Sequence, residues 1–211
     1  SETTKKDLTE FGISQVNVIN NGVNIKSSSK TSKKENDPTL IYVGRLTKAK
    51  NVEDVIKAFL LVNKKIPDCR LWIVGGVDDL QYLSKLKKEA NTLVKFWGFV
   101  TDEEKEKLMA RSHLLIHASL TEGWGLVVIE AAALGTPAVV YNVSGLSESV
   151  VNGKTGVVCS QNTPEEMAKQ VLELLSDDKK YRKMQKNCLA QSKKFSWKKS
   201  VTKSLKLIES I

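Results

Sequence analysis

The stretch Thr39-Leu-Ile-Tyr-Val43-Gly44-Arg45 reads as a buried strand ending on a glycine, and together with the helix after it decides the fold. Uncharged residues rich in branched and aromatic side chains suit a strand covered on both faces. Asn51 to Ile66 then carries Val52, Val55, Ile56, Phe59 and Leu60 at helical spacing. The alternation continues outward. Arg70-Leu-Trp-Ile-Val74 predicts a strand, Asp79 to Asn91 a helix, and Leu93 to Trp97 a third strand. Thr101-Asp-Glu-Glu is a capped helix start leading to Arg111. His113 to Ala118 predicts a strand, Gly125 to Leu134 a helix and Pro137 to Tyr141 a fifth strand. Strands separated by single helices predict an α/β fold, a parallel sheet with helices on both faces. Such sheets bind ligands at the carboxyl ends of their strands, in the loops that lead into helices.

Outside this body the chain changes character. Lys26 to Asp37 has no apolar residue and reads as a flexible, Lys/Ser-rich surface loop or linker. Thr163-Pro-Glu-Glu opens three helical segments, the last running from Ser196 to Ile211. We therefore divide the chain into a connecting segment (1–37), an α/β body (38–177) and basic C-terminal helices (178–211). The net charge of the 211 residues is +9, and Asp178 to Ile211 holds eleven basic and two acidic residues. The whole surplus sits there, and the rest is neutral. That asymmetry argues against a nucleic-acid partner. It fits solvated lysine-rich faces or, more sharply, peripheral contact with an anionic membrane.

Hydrophobic residues at 41% and charged residues at 27% exclude a wholly disordered chain. No apolar run approaches the about 18 residues of a membrane span. The longest candidate, Leu126 to Tyr141, is broken by Glu130, Gly135 and Pro137. Cys69, Cys159 and Cys188 are far apart and form no C-x-x-C pair, so neither a disulfide framework nor a zinc site is expected. The same pattern predicts a reducing, cytoplasmic setting. The chain opens at Ser1 without a secretory signal or an initiator Met, and is expected to be a fragment of something longer.

Chemistry is expected in four loops. In the first, Gly44 ends a strand, and Arg45 and Lys50 bracket a helix start. A guanidinium and an ammonium beside free helical N–H groups make a diphosphate clamp, although a solvated loop would look the same. The second, Gly75-Gly76-Val77-Asp78-Asp79, allows close backbone approach but is not G-x-G-x-x-G. No G-x-x-x-x-G-K-[ST] occurs either, so dinucleotide dehydrogenases and P-loop NTPases match poorly. The third, Gly98-Phe99-Val100, offers main-chain groups and an aromatic wall, or simply a turn with a packed ring.

The fourth loop is the informative one: Ser119-Leu-Thr-Glu122-Gly-Trp-Gly-Leu-Val-Val-Ile-Glu130. Gly123 and Gly125 free the backbone at a helix start. Glu130 interrupts a helix that is otherwise apolar on every side, which predicts a buried carboxylate. Burial of a carboxylate is costly unless something satisfies it. A lysine or arginine would be the structural answer, and a ligand diol the functional one. His113 and His117 lack the companions of a metal set and read as core or cleft residues, with His117 close enough to touch a ligand. Glu148 and Gly153-Lys-Thr-Gly156 read as capping and turn chemistry.

Glu122-Gly-Trp-Gly-Leu-Val-Val-Ile-Glu130, with Gly135-Thr-Pro137, Gly145-x-x-Glu148, Gly153-x-x-Gly156 and Gly44-Arg45-Leu46 with Lys50, resembles family four of the retaining, nucleotide-sugar-dependent glycosyltransferases. These have two Rossmann-like domains in the GT-B architecture, and the motifs belong to the C-terminal, donor-binding one. Ser1 to Leu8 and Val18 to Val23 resemble the passage between the two domains, and Phe195-Ser-Trp197 the start of the final helix.

The resemblance implies that Arg45 and Lys50 hold the donor diphosphate and that Glu122 binds the sugar hydroxyls and supports charge at the anomeric carbon. It implies backbone contacts from Gly123, Trp124, Gly125 and Leu126, the ribose hydroxyls on Glu130, and the loops at Gly44, Gly76–Val77 and Phe99–Val100 around the base and phosphates. The implied reaction moves a hexose from a UDP- or GDP-sugar, without a metal or other cofactor, to a glycan, glycolipid or lipid-linked acceptor bound by an N-terminal domain not present here. A non-catalytic nucleotide-sugar binding module would keep the same site. Asn51 stands where many members have Gly, Ala118 where many have Pro, and Thr121 where relatives often carry a larger or basic residue.

Overall fold

The computed structural model describes residues 1–24 and 33–210. Six strands form one sheet: β1 (Thr39–Val43), β2 (Arg70–Val74), β3 (Val94–Gly98), β4 (Leu114–His117), β5 (Ala138–Val140) and β6 (Gly156–Val158). Their order across the sheet is β3-β2-β1-β4-β5-β6, and every pairing is parallel. This is a Rossmann-like arrangement, whose order reverses between β1 and β4, and ligands of such sheets bind at that reversal.

Among the described residues the α-helices are α1 (Glu2–Glu10), α2 (Val52–Asn63), α3 (Leu80–Glu89), α4 (Asp102–Arg111), α5 (Leu126–Ala133), α6 (Pro164–Ser176), α7 (Asp178–Ser192) and α8 (Trp197–Ile208). The strands alternate their side chains between two cores, as a pleated strand must. Leu40, Tyr42, Leu71, Ile73, Leu114 and Ile116 face one layer, with Phe59 of α2, Val171 of α6 and Met184 of α7. Ile41, Val43, Trp72, Val74 and Leu115 face the other, with Leu108 and Met109 of α4 and Val128 of α5. All five residues of β1 are buried, as the uncharged run requires. Each large side chain so buried contributes about 1.5–3 kcal/mol.

The helix starts obey local chemistry. Asp79 accepts from the amides of Gln81 and Tyr82, Thr101 from Glu104, Thr163 from Glu166 and Ser196 from Lys199. Such caps satisfy N–H groups that the first turn leaves free.

Two readings of the sequence need correction. Gly156 is not only the end of a turn, because it opens β6. Three residues are too short for a periodic signal, and glycine is there because a Cβ would press into the Ala138 carbonyl of the next strand. Within residues 1–37 the structure forms α1. Glu148 caps that helix, accepting from the amides of Glu2 at 2.8 Å and Thr3 at 3.0 Å and from the Thr3 hydroxyl. The flexible reading of Lys26 to Asp37 falls in part on residues 25–32, outside the described residues. Beyond them the chain is anchored: Lys34 donates to Thr136 at 2.7 Å, Glu35 pairs with Arg111 at 2.5 Å and Asp37 with Arg70 at 2.6 Å. Polar composition hid these ties, because each partner lies far away in sequence.

Cys69, Cys159 and Cys188 are buried and unbridged. Among the described residues, no helix is long and apolar enough to cross a membrane.

Candidate active site

The four loops singled out by sequence meet at the carboxyl edge of the sheet and are tied to one another. The Gly44 amide donates to the Val74 carbonyl, Leu46 to Gly76 and Gly75 to Gly98, each at 2.9 Å. Gly75 must be glycine, since a Cβ there would meet the Gly44 carbonyl oxygen and lie 2.7 Å from its carbon. The Leu120 amide donates to Ala49 at 2.9 Å, which locks the first loop to the fourth.

In the first loop the buried Tyr42 hydroxyl donates to the Arg45 carbonyl at 2.9 Å. The Arg45 side chain is exposed, and among the described residues its guanidinium has no partner. A short 3-10 turn, Lys48–Lys50, precedes Asn51, which adopts a left-handed conformation with φ 48°. Asparagine tolerates that region better than other side chains. A glycine would adopt the same conformation without strain. The Asn51 side chain donates to Asp54 at 2.8 Å.

Lys50 Nζ lies 2.5 Å from Glu122 Oε2, and both side chains are about four-fifths covered, at 21% and 19% exposed. The fourth loop is shaped by its glycines. Gly125, at φ 66°, caps α5, and a Cβ there would come within 2.8 Å of Ser149 Oγ. Gly145 lies under Glu122 and Gly123, so close that a Cβ would strike both. Gly123 faces open space. The Trp124 ring packs against Phe195, 5.8 Å between centroids. In the third loop Phe99 is 87% exposed, so its ring is not the packed one that a simple turn would have, and Val100 packs into the second core. Gly76 is open, and Val77 bridges to Leu46.

Glu130 is largely but not fully buried. Its side chain is 26% exposed, because α5 presents Val127 and Glu130 at the rim while Val128, Ile129 and Ala131 go inward. The cation it needs is Lys105 of α4, 3.3 Å from each oxygen. Burial pushes the Glu130 carboxyl upward, and Lys105 pulls it back. No local pattern signals this partner, which lies 25 residues away on another helix.

His117 also belongs to the site. It is buried, stacks obliquely on Tyr42 at 5.1 Å, and its Nδ1 accepts from the Ser119 amide at 3.4 Å. Burial lowers its pKa to about 4, so the ring is neutral and carries its proton on Nε2, toward Gly44. His113 instead accepts from the Thr39 amide at the far end of β1.

A family model described as glycosyl transferases group 1 matches residues 23–191. The chain belongs to this family. Among curated relatives, the glycogen synthase of Mycobacterium tuberculosis is 32% identical over 184 residues, covering 84% of this chain and 44% of that protein. The O-antigen chain mannosyltransferase B of Escherichia coli is 28% identical over 169 residues, 78% of this chain and 44% of that protein. The chain thus spans less than half the length of these two relatives. Among solved structures, sucrose-phosphate synthase from Thermosynechococcus elongatus superposes with a TM-score of 0.86 at 24% identity, covering all of this chain and 56% of that one. The fold is that of one Rossmann-like half of a GT-B glycosyltransferase.

Proposed function

We propose that this chain is the donor-binding half of a retaining glycosyltransferase that moves a hexose from a UDP- or GDP-sugar to a glycan, glycolipid or lipid-linked acceptor. The observation that carries this reading is the Lys50–Glu122 contact at 2.5 Å, which joins the loops after β1 and β4 at the sheet's reversal, with Arg45 on the first of these loops and Glu130 on the helix that follows the second. The unpartnered Arg45 guanidinium and the Lys50 ammonium take the diphosphate and balance the charge that grows on it as the bond to the sugar breaks. Glu122 gives up Lys50 to the phosphates and turns to the sugar hydroxyls and the electron-poor anomeric carbon. Backbone N–H groups at Gly123, Trp124, Gly125 and Leu126 contact sugar and phosphate. Gly44, Gly76, Val77, Phe99 and Val100 surround the base end, and Glu130 accepts from the ribose diol.

The reaction needs no protein nucleophile and no metal in this reading. The acceptor oxygen bonds to the anomeric carbon on the face the phosphate leaves, and its proton passes to the departing phosphate. The acceptor site lies on a second, N-terminal half, so this chain alone binds donor and transfers nothing. The relatives' greater length supports that division.

The ten lysines from Lys179 to Lys206 are all exposed on α7, α8 and the turn between them, and α8 also exposes Trp197, Val201, Leu205 and Ile208. In this reading they hold the whole enzyme at the cytoplasmic face of an anionic membrane, which liposome flotation tests. The central test is a transfer assay with the complete enzyme and UDP- and GDP-hexoses, tracking the product's anomeric proton by NMR. Retained configuration is expected. An inverted product, or no use of either donor, would overturn the reading.

A further inference from the structure

Lys105 sits one turn into α4, facing Glu130 across the contact between α4 and α5. Its ammonium donates to Glu130 Oε1 at 3.3 Å, lies 3.3 Å from Oε2, and is held from its own helix by Asp102 at 3.0 Å. Only 22% of the Lys105 side chain is exposed, so the pair is not a loose surface contact. A carboxylate offers about four lone-pair positions on its two oxygens. One cation placed evenly between the oxygens leaves an acceptor position on each, which is what two adjacent hydroxyls require.

We propose that Lys105 is a positioning residue that orients the Glu130 carboxylate toward the ribose diol of the bound nucleotide. The proposal rests on the donor-site reading of Glu130 above.

The surrounding charges make the role testable. Burial raises the Glu130 carboxyl, Asp102 and Glu106 of α4 raise it further, and Lys105 is the group that opposes them. Without Lys105 the carboxyl takes up its proton at a higher pH. A protonated carboxyl loses acceptor capacity and gains a donor, so affinity for the diol then falls as the solution is acidified.

Calorimetric titration of UDP and GDP, from about pH 4.5, near the ordinary glutamate value of about 4.3, up to about pH 8, compares wild type with Lys105→Met, Lys105→Arg and Glu130→Gln. The corresponding 2′-deoxynucleotides are run beside them. Lys105→Met is expected to bind the ribonucleotide about tenfold more weakly, as for a lost charge-assisted hydrogen bond. The deficit should widen on acidification, and the preference for ribose over deoxyribose should shrink. Lys105→Arg should restore both. If Lys105→Met does not fold, Lys105→Gln provides the same comparison.

Wild-type affinity, pH profile and ribose preference in Lys105→Met would overturn the proposal while leaving the site reading intact, provided Glu130→Gln is impaired. Tighter binding would overturn it too, and would mark Lys105 as a competitor of the ribose. If wild type binds neither nucleotide, or Glu130→Gln binds as well as wild type, the donor-site reading fails and the proposal falls with it.

Discussion

Gly145→Ala and Gly153→Ala form a matched pair that isolates how the Glu122 loop is held. Both glycines have nearly the same left-handed backbone, φ 74° and 73°. An L residue in that region costs about 1–2 kcal/mol, partly offset by a stiffer unfolded chain. At Gly153 nothing lies within 4 Å of the added methyl. At Gly145 the methyl would press on the Glu122 carbonyl oxygen and sit 2.6 Å from the carbonyl carbon of Gly123. Overpacking of that kind adds about 1–3 kcal/mol. We expect a loss of about 1 kcal/mol for Gly153→Ala and about 3 kcal/mol for Gly145→Ala. At about 2–4 °C per kcal/mol for a domain of this size, scanning calorimetry should find Tm lower by about 2–4 °C and 6–12 °C. Because relief of the clash moves Glu122 and Gly123, only Gly145→Ala should also lose nucleotide affinity. Equal Tm losses and equal affinities in the two variants would refute the claim that Gly145 seats the loop.

Asn51→Gly should be nearly neutral to urea unfolding, whereas Asn51→Ala should cost about 1 kcal/mol, because the position is left-handed. His117 imposes a pH dependence. Its folded pKa of about 4 lies below the about 6.5 of an unfolded imidazole, so the unfolded chain binds more protons between those values. Stability is therefore lost as pH falls from about 6.5 toward 4, by up to about 3 kcal/mol, and His117→Gln should flatten the urea midpoints over that range. Glu148→Ala should abolish hydrogen-exchange protection of the Glu2 and Thr3 amides that its carboxylate accepts from, with little change in global Tm.

The strands that β-branched and aromatic runs announce were legible to within a residue: β1 and β2 have the expected bounds, and the helix caps at Asp79, Thr101 and Thr163 stand where their side chains require. β6 was not legible, because three residues carry no period and its place is set by backbone approach at Gly156. In the site, the glycines and charged residues of the first and fourth loops could be read locally, since each acts through its own backbone or charge. What could not be read were partners across the fold. The Lys50–Glu122 and Lys105–Glu130 pairs join separate elements, and nothing in the strand pattern marks that the Tyr42 hydroxyl fixes the Arg45 carbonyl. Asn51 is the instructive middle case. The sequence showed it as a departure from the resembled pattern, and only the structure shows that its backbone is left-handed, the conformation a glycine adopts freely.

The most direct measurement is calorimetric titration of UDP and GDP into the wild-type protein and into Arg45→Ala, Lys50→Ala and Glu130→Ala. The account predicts saturable binding of at least one nucleotide by wild type and weaker binding by all three variants. It also predicts that the first two lose their advantage for diphosphate over monophosphate, and that Glu130→Ala loses its preference for ribose over deoxyribose. Absence of binding in wild type, or variants that bind both nucleotides as wild type does, would contradict it.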